Sequence, residues 1–145
     1  MKKGNNFFTD ISSLKTIDSL RILYACIAVL FFIITELGRK VYRPYIYSND
    51  INDLGIADSI GNLGGVVVQI FFSLAILNSP KNKTFRVILF IILGYILYEI
   101  LQPYLPRGVF DWLDIYGTIL GGIVSILILY SINRIVKNTI LYTFK

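Results

Sequence analysis

The 145-residue chain contains no histidine. General acid–base work would therefore fall to carboxylates, here Glu99, Asp111 or Asp114. An imidazole metal site is excluded as well. There is one cysteine, Cys26, which allows neither an internal disulfide nor a thiolate metal centre. It reads as a small apolar filler. No serine or cysteine stands in a nucleophile motif. The acids at the helix ends are too loosely spaced to argue for Mg²⁺ or Ca²⁺. The run Gly61-x2-Gly64-Gly65 lacks the lysine that a phosphate-binding loop needs. No metal, cofactor or catalytic residue is therefore expected, and the sequence leans away from an enzyme. Charge is scarce too. Charged residues make up 16% of the chain, against about 25% in a typical soluble domain. A globule of this size could not bury the apolar remainder.

What is abundant is apolar sequence, 55% of the chain, gathered in long blocks. Crossing about 30 Å of hydrocarbon takes roughly 20 mostly apolar residues. Blocks at 20–38, 56–77, 85–102 and 112–132 meet or approach that length. The third is the shortest and carries Glu99. The expected fold is all-α: an integral membrane bundle of four transmembrane helices over 20–132. Residues 1–19 form a polar N-terminal segment, either an interfacial helix or disordered, whose Phe7 and Phe8 could dip into the headgroups. Residues 133–145 form a tail. The first block is followed by Glu36-Leu37-Gly38-Arg39-Lys40, with no small-residue cleavage site, so it reads as an uncleaved span.

The charges sort by side. Ten of the fourteen basic residues lie in the N-terminal segment, the middle loop and the C-terminal tail. Arg39, Lys40, Arg43 and Arg107 lie on the other side. Basic residues favour the cytoplasm, so both termini are expected inside. The acids are biased outward: Glu36, Asp50, Asp53, Asp58, Glu99, Asp111 and Asp114. The net charge of +5 then reflects cytoplasmic flanks facing anionic lipid. No basic block is interleaved with exposed aromatics, so nucleic acid is not an expected partner.

An internal repeat is visible. Asp58, Gly61, Asn62, Gly65 and Gln69 recur as Asp114, Gly117, Thr118, Gly121 and Ser125, at a constant offset of 56. Each set follows i, i+3, i+4, i+7, i+11 and so shares one helical face. The preceding spans end in Glu36 and Glu99. The unit is a helical hairpin used twice in the same orientation, an approximate parallel repeat. The glycines Gly61, Gly64, Gly65, Gly117, Gly121 and Gly122 are expected to pack the second span closely against the fourth. Asp58 and Asp114, in the first turn of their helices, suit a capping role.

Glu99 is the costliest residue to place. A carboxylate at membrane depth faces a partner or a wet cavity. It shares a face with Gln102 and Tyr95. One reading is a structural ion pair with Arg107 that fixes the following loop. The other is an outward-facing polar pocket built from Glu99, Gln102, Arg107, Asp111 and Asp114. Thr118, Asp58, Asn62 and Glu36 are further candidates for that pocket.

The run Glu99-x2-Gln102-x3-Pro106-Arg107-x3-Asp111-x2-Asp114, followed by Gly117-Thr118 and Gly121, resembles the signature of VanZ-like membrane proteins. The match is close over roughly residues 90–125 and loose over the four-span layout. Thr118 stands where the family usually has asparagine, although Asn62 fills the equivalent place in the first repeat. The histidine that many relatives carry in the first outer loop is missing. The resemblance implies a small bacterial protein of the cytoplasmic membrane, linked in some members to glycopeptide resistance. The function expected from pocket and resemblance is binding of a lipid headgroup, a lipid-linked cell-wall precursor or a glycopeptide-type antimicrobial. The alternatives are a proton-coupled carrier or membrane enzyme using Glu99 and Asp114, and a helix-packing subunit of a larger membrane complex. Membrane lipid is an expected partner, and assembly as a homo-oligomer or with another membrane protein is open.

Overall fold

The computed structural model describes residues 19–77, 81–106 and 108–143. Phe7, Phe8 and the rest of the N-terminal segment up to residue 18 lie outside these, as does Arg107. The described residues are helical with no strand. Helix α1 spans Ser19–Leu37, α2 Arg43–Ser48, α3 Ile56–Leu77, α4 Lys81–Leu101 and α5 Trp112–Thr143. Four helical rods are long and apolar enough to cross a membrane. The protein is thus a multi-pass membrane protein. Large apolar side chains such as Val29, Phe32, Phe90, Leu97 and Leu127 point outward all around it. In lipid this outward face carries no cost, because the surroundings are as apolar as the side chains.

The helix ends follow local chemistry. Pro44 has no N–H to give and its ring crowds the carbonyl four residues back. The chain does not stop there. It widens into a π-turn over Gly38–Tyr42, with the Arg43 N–H bonded to the Gly38 carbonyl, and continues as α2. The first rod therefore reaches Ser48, beyond the apolar block that ends at Gly38. Pro103 acts similarly on α4, which tightens into a 3₁₀ turn at Gln102–Tyr104. Helix α5 runs past Ile132 to Thr143. Between α2 and α3 the chain turns through Asp50 and Leu54, both at positive φ, and Gly55 at φ +81. Glycine adopts that conformation without a side-chain penalty.

Helix α3 is the centre of the bundle. It packs closely along α1 on one side and along α5 on another, and more lightly on α4, which also rests on α5. The core is largely its own: Val66, Val67, Ile70, Phe71 and Leu74, joined by Ala28, Ile88 and Leu129. Tyr24 of α1 adds a tilted ring contact to Phe71 at 5.9 Å between centroids. The two hairpins of the repeat are thus packed unequally, α1 lying on α3 far more closely than α4 lies on α5.

The glycines divide their work among neighbours. Gly117 and Gly121 press α5 onto the backbone of α3, at Ser59 and Leu63. The other four differ from the expected α3–α5 contact. Gly64 admits Thr35 of α1, Gly65 faces the Tyr95 ring of α4, and Gly122 faces Ile92 of α4. Gly61 is nearly open, with only the Arg39 stem at 3.9 Å from a built Cβ. Sequence periodicity groups residues on a face; helix rotation decides which neighbour that face meets.

At the opposite end from the 38–55 and 102–111 connections, Arg21 closes α3. Its Nε donates to the Ala75 carbonyl at 2.7 Å and its Nη2 to the Ile76 carbonyl at 3.2 Å. The last carbonyls of a helix have no helical partner, and a cation suits that end of the dipole. Arg21→Ala is expected to lower stability by about 1–3 kcal/mol, with Arg21→Lys intermediate. Thermal unfolding in detergent measures the first effect. Faster amide exchange confined to the last turn of α3 localises it.

Candidate functional site

The carboxylates gather at the end of the bundle that holds the 38–55 and 102–111 connections. Glu99 is 2% exposed, the most buried acid among the described residues. The last turn of α4 places it beside the start of α5. Its Oε1 accepts the Asp111 backbone N–H at 2.8 Å, and its Oε2 accepts Gln102 Nε2 at 2.9 Å. The i, i+3 spacing of Glu99 and Gln102 delivers the second bond within one helix face. The first bond ties α4 to α5 across the connection. Tyr95, on the same face, makes no hydrogen bond to Glu99 and lies against Gly65 instead.

The caps of α3 and α5 come from acids just upstream of the helices. Asp111 Oδ1 accepts the Leu113 N–H at 2.8 Å. Asp53 accepts the N–H groups of Gly55 and Ala57 at 3.1 and 2.6 Å, and Tyr42 donates its hydroxyl to the same carboxylate. Neither Asp58 nor Asp114 accepts a backbone N–H among the described residues, contrary to their expected capping role. Asp58 takes a charge-assisted bond from Arg43 Nη2 at 3.0 Å and one from the Tyr47 hydroxyl. Arg43 in turn lies over the Tyr47 ring, 5.3 Å from its centroid. This trio joins α2 to α3. The i, i+4 spacing of Arg43 and Tyr47 marks them as neighbours in the sequence, but only the loop geometry shows that Asp58 completes them.

Asp114 is different. It is partly buried in the first turn of α5, and its carboxylate accepts no hydrogen bond among the described residues. Glu99, Asp111, Asp58 and Arg43 all lie within electrostatic range of it. Both repeats thus contribute to one polar rim: Asp58 with Arg43 from the first, Glu99, Gln102, Asp111 and Asp114 from the second. Thr118, 1% exposed, turns its hydroxyl back to the Asp114 carbonyl at 2.9 Å and supports the turn without opening to the rim. Ser125 does the same two stripe positions on, bonding the Gly121 carbonyl. Asn62 is partly buried, with no side-chain hydrogen bond among the described residues. Glu36 forms its own ion pairs with Arg39 and Lys40, at 3.6 and 3.0 Å, on the exposed flank of the first rod.

The arrangement can accept hydrogen bonds and attract cations more readily than it can donate. Among the described residues no group of acids is close enough to hold a metal ion. Exposed aromatics, Tyr45, Tyr47, Tyr104, Trp112 and Tyr116, surround the rim, with Phe110 set edge-on to Trp112 at 5.0 Å. Such a belt suits the boundary between hydrocarbon and headgroups. No family model, curated protein or solved structure matches this chain.

Proposed function

We propose that the protein is a VanZ-like protein of the bacterial cytoplasmic membrane, with both termini inside, that binds the polar head of an amphiphile at its outward rim. The ligand is a lipid headgroup, a lipid-linked cell-wall precursor or a glycopeptide-type antimicrobial, and it presents an ammonium or amide donor. The observation that carries the reading is Asp114. A half-buried carboxylate that accepts no hydrogen bond among the described residues, near three further acids, is held at a cost unless a donor comes to it. The excess of acceptors favours a head with positive charge. Arg43 beside it suits a phosphate or carboxylate on the same head. The orientation rests on the basic residues, ten at one side against four at the other.

The test uses the purified protein in nanodiscs, with native mass spectrometry and thermal shift as readouts. The probes are an amine-headed phospholipid, an anionic phospholipid without an amine, a lipid-linked precursor with a free peptide amine, and a glycopeptide. An amine-bearing probe should stabilise the wild type. Asp114→Asn should weaken that probe more than about tenfold, as expected when one partner of a desolvated charged contact is removed. Asp50→Asn, on an exposed turn, should not. Equal response of wild type and Asp114→Asn, or no response to any amine-bearing probe, rejects the reading.

A further inference from the structure

The stripe on α5 and its repeat on α3 have the same pattern and different fates. On α5, Gly117, Thr118, Gly121 and Ser125 are all buried. On α3, Gln69 is exposed where Ser125 is enclosed, and its amide has no hydrogen-bond partner among the described residues. Gln69 lies along α3 roughly 20 Å from Ile56, at about 1.5 Å per residue. That is well inside a hydrocarbon layer of about 30 Å. It lines a groove of about 490 Å³ between α3 and α4, together with Ile91, Gly94, Tyr95 and Tyr98. A Cβ built on Gly94 would meet nothing within 4 Å. An amide that finds no partner in hydrocarbon is costly, and acyl chains have nothing to offer it.

We infer that this α3–α4 face is a homodimer interface, closed by a second copy of the chain through Gln69. Two copies in one membrane with the same orientation can pair about an axis along the membrane normal. Every residue then meets its own counterpart at its own depth. A glutamine amide suits that symmetry, because it both donates and accepts. The Nε2–H of each Gln69 reaches the Oε1 of the other, giving two bonds from one residue type. Gly94, open on the same groove, lets the partner's backbone come close. The inference is independent of any ligand at the rim.

The full chain in native membranes provides the test. Cys26 is exposed and must first become serine. In that background Gln69→Cys should form a disulfide-linked dimer on mild oxidation. Leu30→Cys, exposed on α1, should give far less. Gln69→Leu should weaken association about tenfold, as expected for losing paired interhelical hydrogen bonds in a bilayer. Single-molecule photobleaching in vesicles reads this, and the variant should fold at least as well as the wild type, since leucine suits lipid. Three results overturn the inference. Gln69→Cys could stay monomeric under oxidation, or Gln69→Leu could associate as the wild type does. A tightly held lipid that is lost with Gln69→Leu, from a chain that is monomeric throughout, would assign the groove to lipid.

Discussion

Glu99→Ala is expected to lower the thermal unfolding midpoint sharply in detergent, whereas Glu99→Gln stays close to the wild type. The buried carboxylate holds the Asp111 N–H and the Gln102 amide at 2.8 and 2.9 Å. A hydrogen bond to a charged group contributes about 1.5–3 kcal/mol, and leaving a buried donor unpaired adds its desolvation cost. Alanine removes both acceptors at once, so a loss of about 3 kcal/mol or more follows. It also frees the start of α5 from the end of α4, because the Glu99–Asp111 bond is a polar tie across that connection. Glutamine has one oxygen and one amide nitrogen. The oxygen keeps the Asp111 N–H, and Gln102 turns its own amide over to present oxygen to the new nitrogen. The fold survives and the charge is gone. If the rim binds a cationic head, Glu99→Gln should weaken the amine-bearing probe while the unfolding midpoint holds. Equal destabilisation by both substitutions would show that the negative charge itself holds the loop. Loss from neither would show that these two bonds do not hold the rim together.

The parts of this structure that could be read from sequence are those that depend on composition and spacing. Four apolar blocks gave four rods, and the second matched Ile56–Leu77 to the residue. Glu99 and Gln102 stand on one helix face and do bond. What could not be read depends on how helices turn against one another. The pattern shared by Gly61 and Gly117 looks like one device used twice, yet Gly117 meets the Ser59 carbonyl of α3 and Gly61 meets almost nothing. The same limit hid the Asp58–Arg43–Tyr47 trio, because Asp58 is fifteen positions from Arg43 across a turn built on positive φ. The end of the first rod was not legible either. The apolar block stops at Gly38, but a π-turn over Gly38–Tyr42 carries the helix through Pro44 to Ser48. The acid that caps α3, Asp53, is also set by that turn and not by helix periodicity.

Gly121→Val is expected to be the most damaging single substitution in the bundle, with Gly117→Val close behind. Helices α3 and α5 run parallel, with Gly117 against Ser59 and Gly121 against Leu63. A Cβ built on Gly121 would sit 2.4 Å from the Leu63 carbonyl oxygen and 3.1 Å from Val66 Cβ. On Gly117 it would sit 2.4 Å from the Ser59 carbonyl oxygen. The carbonyl oxygens are backbone and a Cβ does not move with χ1, so no rotamer change relieves the clash and the two helices must part. Overpacking a tight core typically costs about 1–3 kcal/mol, and here the lost contact runs along the central helix, so the upper end or beyond is expected. Gly122→Ala is the control. Its built Cβ would meet Ile92 Cδ1 at 2.4 Å, the far end of a flexible side chain. Ile92 can swing away, and the cost should stay near or below about 1 kcal/mol. Denaturation by SDS in mixed micelles, followed by helical circular dichroism, ranks the three variants. Gly121→Val and Gly122→Ala behaving alike would mean that α5 does not press on the α3 backbone. The rim would then lose a main support, because that contact aligns the helix starts that carry Asp58 and Asp114.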